Sequence, residues 1–193
     1  MKHFIYFSKS AATSGGALAQ GDLMKAGRMD IAIHSFIQAV YLSKDFRRDV
    51  KFHFVFYGMP DPPKHIEMQV TDELEISKKD VGNLIKKILY KYKEGKKTEV
   101  FPKCFVEKKS LLEVVKELGK ENEIFLLDEN GEDIRKAKIL RNCVFVLGDH
   151  DGIQGKELKR LKQIATPISI GNKTYFASQV VAIVNNELDR RGI

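Results

Sequence analysis

The chain has 193 residues and a formal net charge of +7, with 43% hydrophobic and 31% charged residues. These values are typical of a globular domain, and the length predicts that residues 1–193 form a single domain. No apolar run approaches the roughly 20 residues that span a membrane, and the first residues lack the apolar region of a signal peptide. Composition therefore excludes membrane, secreted, collagen-like and disordered proteins and favours a cytoplasmic one.

The two cysteines, Cys104 and Cys143, lie far apart, and neither belongs to a CxxC pair. We therefore expect no disulfide scaffold and no metal site. The positive charge is concentrated in residues 78–109, called the basic segment below, which hold eleven lysines and four acidic residues. This segment is either a surface for nucleic acid phosphates or a solvated lysine-rich face, and charge alone leaves both open.

The first third of the chain predicts two strands around one helix. Residues 3–7 read as a strand, and residues 8–22, rich in Ser, Ala and Gly, read as a loop too polar and small to pack. Residues 30–44 carry apolar side chains at the spacing of one helical face. Residues 50–57 form an aromatic-rich strand, which the prolines of residues 58–63 end.

Strands and helices continue to alternate through the rest of the chain. Ser77 and Asp80 have the spacing of a capping box before a helix with an apolar stripe from Val81 to Tyr92. The remaining predicted elements are strands at 99–106, 123–127, 142–147 and 166–170, and helices at 110–119, 156–162 and 175–190. This alternation predicts an α/β fold with a mainly parallel sheet and helices on both faces.

Three strand-end loops, at 128–131, 148–152 and 171–174, predict a binding site. Ligands of parallel α/β sheets bind outside the carboxyl ends of the strands. Gly148 and Gly171 directly follow their strands, where a missing side chain lets the backbone approach a ligand. Each glycine could equally serve only to make the turn, but three such loops together favour a ligand site.

An ordered series of motifs extends over nearly the whole chain. Its members are AGRMD at 26–30, FRRD at 46–49, GMPDPPK at 58–64, FVLGDH at 145–150, SIG at 169–171, ASQ at 177–179 and NELDRR at 186–191. In this order they resemble the archaeal-type tRNA (pseudouridine-54 N1)-methyltransferases of the SPOUT superfamily. The resemblance implies a homodimer with a C-terminal trefoil knot that binds S-adenosylmethionine, and tRNA as the substrate.

The resemblance also assigns the cofactor segments, which coincide with the three strand-end loops. The implied cofactor-binding residues are Leu127, Gly148, Ile170, Gly171, Asn172, Lys173, Thr174, Tyr175 and Val180. Many archaeal members have a cysteine where this chain has Val180, so a role that needs sulfur is not expected there. The loop at 8–22 is longer and richer in Ala and Gly than is usual in the family.

Methylation of N1 of pseudouridine requires loss of the N1 proton, for which a carboxylate beside an arginine is a suitable pair. The candidates are Asp30 with Arg28, and Asp61 with Arg47 and Arg48. Asp30 could instead be a helix N-cap, and Asp61 a turn residue. Arg47, Arg48, Lys86 and Lys87 are the candidate RNA contacts. Asp149 and His150 are expected to shape their loop or face the substrate.

The sequence thus predicts an S-adenosylmethionine-dependent methyltransferase that modifies N1 of pseudouridine, at position 54 in the T-loop of tRNA. Two alternatives remain open. One is a related SPOUT enzyme that acts on ribosomal RNA or on a ribose 2′-hydroxyl. The other is an RNA-binding homologue without catalytic activity.

Overall fold

The computed structural model describes residues 1–19, 21–74 and 77–193, and its elements are numbered here in chain order. The strands are β1 (Lys2–Ser8), β2 (Val50–Phe56), β3 (Lys64–Met68), β4 (Thr98–Phe101), β5 (Cys104–Glu107), β6 (Glu123–Asp133), β7 (Cys143–Gly148) and β8 (Thr166–Ser169). The helices are α1 (Gly15–Leu18), α2 (Met29–Val40), α3 (Val81–Tyr90), α4 (Leu111–Leu118), α5 (Gly155–Leu161) and α6 (Ala177–Arg190). None of these helices is long and apolar enough to cross a membrane.

All the described strands join one sheet in the order β4-β5-β3-β2-β1-β7-β6-β8. The adjacent strands β2, β1, β7, β6 and β8 pair in parallel. The other three strands, β3, β5 and β4, pair antiparallel at one side of the sheet. The mainly parallel sheet is thus confirmed. The parallel strands bring their carboxyl ends, and the loops that follow them, to one edge of the sheet, which we call the carboxyl edge.

Both faces of the sheet are covered by helices, as predicted. Alternate residues of a strand point to opposite faces, so Phe4 and Tyr6 pack with α2, α3 and α6, while Ile5 and Phe7 pack with α4 and α5. Both sets are buried. The helix α4 begins at a capping box, in which Ser110 accepts from the backbone of Glu113, because Ser and Glu at this spacing satisfy each other's free donors.

Several predicted element boundaries are wrong. The strand predicted at 99–106 is a hairpin of β4 and β5, and the short polar strand β3 that pairs with β5 was missed. The strand β6 continues to Asp133, so residues 128–131 lie within it, across a register shift. Ser77 and Asp80 form no capping box, because Asp80 is the N-cap of α3 and makes no side-chain bond to the helix backbone. The trefoil knot stays a prediction.

The described residues of the loop at 8–22 pack, contrary to the prediction. Ala11, Thr13 and Leu18 are buried, and α1 lies within this loop against α3. A Cβ atom at Gly27 would lie 1.8 Å from the carbonyl oxygen of Ser10, and one at Gly58 would lie 2.3 Å from it. The small residues are therefore what allows three backbone segments to meet at the carboxyl edge.

Three buried histidines, His3, His53 and His65, form a hydrogen-bonded row across β1, β2 and β3. His3 Nδ1 lies 3.0 Å from His53 Nε2, and His53 Nδ1 lies 2.9 Å from His65 Nε2. His65 Nδ1 lies 3.0 Å from Oε1 of Glu107, which can only accept when ionised. With three neutral imidazoles, each Nδ1–H therefore donates to the next member, and this histidine row ends on Glu107.

Candidate active site

A cavity of about 420 Å³ opens at the carboxyl edge between the ends of β6, β7 and β8. Its volume lies within the range of small-molecule and cofactor sites. The predicted cofactor residues that line it are Leu127, Gly148, Ile170, Gly171, Lys173, Thr174, Tyr175 and Val180. Asn172 is exposed and does not line it. Residues distant in sequence therefore meet around one space, as the three strand-end loops predict.

The glycines of the cavity are needed for different reasons. A Cβ atom at Gly148 would lie 2.5 Å from the carbonyl carbon of Gly152, so this glycine makes room for the turn that follows β7. The need to form this turn is thus enough to explain the glycine at position 148. Gly171 has a φ of +151°, which side-chain-bearing residues rarely adopt, and a Cβ atom there would meet only the side chain of Tyr175, at 3.9 Å.

The cavity combines apolar and polar walls. One wall is formed by Ile170, Ala177 and Val180, which pack in the apolar core between the sheet and the helices α2, α3 and α6. A valine at position 180 therefore keeps this wall apolar. On another wall, Asp128 forms an ion pair with Lys162 at 2.6 Å. This ion pair and the N–H of Asn130 lower the pKa of the Asp128 carboxyl group. Apolar faces beside oriented polar groups suit a nucleoside with a charged tail, and S-adenosylmethionine has both parts.

Arg28 and Asp30 form a bidentate ion pair at the start of α2. Arg28 Nε and Nη2 each donate to one carboxylate oxygen of Asp30 at 3.0 Å, and this bonding lowers the pKa of Asp30. The N-cap of α2 is Arg28, with a left-handed φ of 60°, so Asp30 is not the cap. The pairing predicted from sequence is confirmed, and it holds the guanidinium of Arg28 at the surface in a fixed orientation.

Asp61 is bound by lysines, and the predicted pairing with Arg47 and Arg48 is wrong. Its carboxylate accepts from Lys64 Nζ at 2.6 Å and from Lys108 Nζ, which together lower the pKa of Asp61. Lys64 is almost fully buried, and its ammonium group lies 3.9 Å from the ring centre of Tyr92. The strand β3, missed in the sequence, is what brings Lys64 to this place.

Arg47 and Arg48 bind other carboxylates instead. Arg47 forms a bidentate pair with Asp189 of α6, at 2.6 and 2.5 Å, and so connects the segment after α2 to the C-terminal helix. Arg48 pairs with Asp45 and Asp72 at the surface. The side chain of Arg47 is mostly buried, whereas that of Arg48 is half exposed, so Arg48 is the more accessible of the two for a phosphate.

Residues 8–13 form hydrogen bonds with the segments that carry Arg28–Asp30 and Asp61. Ser10 Oγ donates to the carbonyl oxygen of Gly27, and Thr13 Oγ1 donates to that of Gly58 at 2.8 Å. The N–H of Asp61 in turn donates to Thr13 Oγ1. The backbone N–H of Asp149, on the cavity wall, donates to the carbonyl oxygen at the end of β1. Arg28–Asp30, Asp61 and the cavity thus share one edge of the sheet.

The Tyr6 hydroxyl and Asp149 Oδ2, both at this edge, are among the buried oxygen atoms that have no hydrogen-bond partner in the described structure. Burial, and then the charges of Asp149 and Asp30, raise the pKa of Tyr6. The Tyr6 hydroxyl is thus electrostatically coupled to both the cavity wall and the Arg28–Asp30 pair. The sequence predicts that Asp149 shapes its loop or faces the substrate, and its position directly after a buried strand is the signal for the second role.

Asp149, His150 and Asp151 could offer three metal-ligand atoms within 4.8 Å of one another. His150 and Asp151 are exposed, and exposed acidic groups are common without an ion. The sequence expectation of no metal site stays a prediction.

The basic segment covers α3 and the β4–β5 hairpin. Lys86 is partly exposed and Lys87 is exposed on α3, on the side opposite the apolar stripe. Lys108, at the end of this segment, reaches Asp61. The end of the basic segment thus reaches the candidate site, and the exposed Tyr90 lies on α3 with the predicted RNA-binding lysines.

The comparisons with known proteins agree with this architecture. The family described as "Putative SAM-dependent RNA methyltransferase" matches residues 1–193. A tRNA (pseudouridine(54)-N(1))-methyltransferase of Pyrococcus abyssi is 32% identical over 204 residues that cover 100% of both chains. A Vibrio campbellii protein named "Putative pseudouridine methyltransferase" is 31% identical, with 99% of each chain covered.

Among solved structures, that of Archaeoglobus fulgidus Nep1 bound to S-adenosylhomocysteine has a TM-score of 0.65 at 14% identity. The alignment covers 100% of this chain and 99% of that chain, so the two share a fold. This likeness confirms the predicted α/β fold class. The full-length family match confirms the resemblance read from the motifs. The chain therefore belongs to the family of S-adenosylmethionine-dependent RNA methyltransferases.

Proposed function

We propose that this protein transfers a methyl group from S-adenosylmethionine to N1 of a pseudouridine, at position 54 in the T-loop of tRNA. The observation that carries this proposal is the cavity at the carboxyl edge, which lies beside Arg28–Asp30 and Asp61. The names of the relatives from Pyrococcus abyssi and Vibrio campbellii support pseudouridine as the target.

The cofactor would occupy the cavity formed by the ends of β6, β7 and β8. The residues proposed to hold it are those predicted from sequence: Leu127, Gly148, Ile170, Gly171, Asn172, Lys173, Thr174, Tyr175 and Val180. Asn172 would take part only if the exposed loop around it folds over the cofactor. S-adenosylmethionine, when bound, supplies an activated methyl group, so the protein needs to position the base and accept one proton.

Arg28 is proposed to contact the substrate, through a base carbonyl or a phosphate. Asp30 fixes the guanidinium of Arg28 through both of its carboxylate oxygens. Both Nη1 donors and one Nη2 donor of this side chain, which is 37% exposed, are left for a substrate. Asp61 is proposed to hold Lys64 and Lys108 at the edge of the site. Both carboxylates therefore orient cations in this proposal.

The RNA backbone is proposed to lie along the basic segment, with Lys86, Lys87 and the exposed Arg48 as phosphate contacts. Phosphate contacts position nucleic acid and make its affinity depend on salt. Arg47 would contribute through its ion pair with Asp189, which holds the neighbouring backbone of Arg48 in place.

The proposal further includes a homodimer, one domain over residues 1–193 and a cytoplasmic location, where tRNA is modified. Phe176, at the start of α6, is 75% exposed and lies next to the cavity residues Tyr175 and Ala177. A large apolar side chain in this place favours contact with another protein surface. Light scattering after size exclusion would give twice the chain mass for a dimer, and a monomer would contradict this part of the proposal.

The decisive experiment offers two T-loop RNAs that differ only in having pseudouridine or uridine at position 54. Radiolabelled methyl transfer to the pseudouridine RNA alone, with 1-methylpseudouridine found after digestion to nucleosides, would support the proposal. Transfer to both RNAs would indicate a ribose or another base. No transfer to either RNA, with S-adenosylmethionine bound, would refute the T-loop assignment, and a parallel ribosomal RNA fragment would test that alternative target.

A catalytically inactive RNA-binding homologue would bind the RNA and fail to retain S-adenosylmethionine. Calorimetric titration of the cofactor into the protein separates this alternative from an enzyme that was offered the wrong RNA. No feature of the cavity favours the inactive homologue, since Val180 preserves its apolar wall.

A further inference from the structure

One carboxylate on the cavity wall has incomplete bonding. Asp149 directly follows β7, and its side chain is 2% exposed. Its Oδ1 accepts from the backbone N–H of Asp151 at 2.9 Å, while Oδ2 is buried and has no donor within the described structure. Burying a carboxylate oxygen without a donor costs free energy. A bound group that supplies a proton or a hydrogen bond at Oδ2 would offset that cost.

Three other carboxylates near the cavity, or at the same edge of the sheet, are held by cations or backbone donors. Asp30 gives both oxygens to Arg28, and Asp61 gives both to Lys64 and Lys108. Asp128 is bound by Lys162 and by the N–H of Asn130. A carboxylate whose oxygens are directed at cations takes up a proton less readily, because protonation would break its ion pairs. Asp149 Oδ2 is free of this restriction.

We propose that Asp149 Oδ2 accepts the N1 proton of the target base, which makes Asp149 a catalytic residue. This assignment rests on the proposed function. The proton passes from N1 to Oδ2, the nitrogen electron pair forms the N–CH₃ bond, and the S–CH₃ bond breaks with its electron pair left on sulfur. S-adenosylhomocysteine leaves as the second product, and Asp149 then returns the proton to water.

The charges around Asp149 are compatible with this role. His150 Nδ1 lies 3.9 Å from Oδ1, and Asp151 binds the same oxygen only through its backbone N–H. On the side of β1, the Tyr6 hydroxyl is buried and unpartnered, with the Arg28–Asp30 pair beyond it. No cation is paired with Oδ2 among the described residues. Oδ2 therefore has no ion pair that would compete with a proton for this oxygen.

The test compares Asp149→Asn with Asp151→Asn, a matched change in the same loop at a side chain that is 65% exposed. Asparagine retains the acceptor for the Asp151 N–H but is a poor proton acceptor. We expect single-turnover methyl transfer to pseudouridine RNA to fall by about 100-fold or more in Asp149→Asn. Asp151→Asn should stay within about threefold of the wild type, and both should bind S-adenosylhomocysteine within about threefold of the wild-type Kd.

Two further readouts separate catalysis from a structural role. At high pH, hydroxide can remove the N1 proton. The rate of methyl transfer by Asp149→Asn should therefore approach that of the wild type as pH rises. The variant should also melt at about 2–4 °C above the wild type, because a neutral amide is less costly to bury than an uncompensated charge.

Each contrary outcome has its own meaning. Wild-type protein that methylates neither RNA would refute the proposed function and this assignment with it. Wild-type transfer that Asp149→Asn retains would overturn the assignment alone. A loss of S-adenosylhomocysteine affinity equal to the loss of rate would make Asp149 a cofactor ligand, and a lowered melting temperature with a pH-independent loss of rate would make it structural.

Discussion

The two ends of β1 carry buried polar groups that are treated in opposite ways. At its start, His3 belongs to the histidine row, in which each imidazole donates to the next and the last donates to Glu107. At its end, the Tyr6 hydroxyl and the neighbouring Asp149 Oδ2 are buried without partners. A complete hydrogen-bond network stabilises a core. Buried polar groups without partners destabilise it, and a ligand that supplies the missing hydrogen bonds offsets that cost. This difference supports the proposal of a reactive site at the carboxyl edge and of a structural network at the opposite end.

The largest expected effect is on stability, from His53→Leu in the middle of the histidine row. This change leaves His3 Nδ1 and His65 Nε2 without partners in a buried place, each at a cost of about 1–3 kcal/mol. We expect urea denaturation to show a loss of about 3 kcal/mol in the free energy of unfolding. The exposed His34→Leu is the control, and it should change stability by less than about 0.5 kcal/mol. Equal effects of the two changes would show that the row does not stabilise the fold.

The histidine row should also make stability fall in acid. Burial lowers the pKa of His3 to about 4 and that of His53 well below its ordinary value of 6.5. Between pH 6.5 and 4 the unfolded chain therefore binds protons that the native protein does not, and stability declines as pH falls through this window. Once pH is below about 4, His3 by itself lowers the free energy of unfolding by roughly 3 kcal/mol.

Glu107 adds a decline at lower pH. Burial opposes ionisation there, but the bonds from His65 and Lys109 outweigh it and lower the pKa of Glu107 to about 2. Its stabilising effect is present above its ordinary pKa of 4.5 and is lost as pH falls towards 2. Urea denaturation across pH 8 to 4 measures the histidine part. His3→Gln should show a shallower decline than wild type, and a flat wild-type profile would contradict the neutral row.

At the carboxyl edge, Arg28→Lys should affect activity more than stability. Lysine keeps the charge but cannot form the bidentate pair with Asp30 that fixes the side chain. We expect methyl transfer to pseudouridine RNA to fall about tenfold, equivalent to about 1.4 kcal/mol, with unchanged cofactor affinity. Lys120→Arg, at an exposed position after α4, is the control. An unaffected rate in Arg28→Lys would remove this pair from the site.

The smallest expected effect is that of Tyr6→Phe, which removes a hydroxyl that already lacks a partner. Its loss should leave the free energy of unfolding unchanged or raise it by up to about 1 kcal/mol, in contrast to His53→Leu in the same sheet. Thermal melting with and without S-adenosylmethionine measures this. A loss larger than about 1 kcal/mol would show that the hydroxyl is satisfied, and the contrast between the two ends of β1 would fail.

The sequence predicts the parallel part of the fold well, because its strands and helices have clear periods and the Ser110 cap has a clear signature. It fails at β3, where Lys64, His65 and Glu67 replace the usual apolar residues. His65 and Glu67 find partners across strands, and Lys64 finds Asp61 in the preceding turn. It also fails at residues 8–22, whose small side chains suggest a loose loop. In the structure, these small side chains permit close backbone packing against Gly27 and Gly58.

The cavity was predicted in part. Strand ends identify Gly148 and Gly171, and the bidentate Arg28–Asp30 pair follows from neighbours in the chain. The partners of Asp61 could not be found in this way, because Lys108 is far from it in sequence and Lys64 lies on the missed strand. The free oxygen of Asp149 could not be found either, since an atom's lack of a partner depends on every element that surrounds it.

The sequence alone determines the class of fold, the order of the strand-end loops, the basic segment and the family, because each depends on local pattern or on ordered motifs. The tertiary structure decides which polar groups find partners. One complete network joins four different strands through His3, His53, His65 and Glu107. At the other end of β1, Tyr6 and Asp149 each have a buried oxygen atom without a hydrogen-bond partner. Hydrogen bonding and burial depend on distances across strands, and those distances exist only once the sheet has formed.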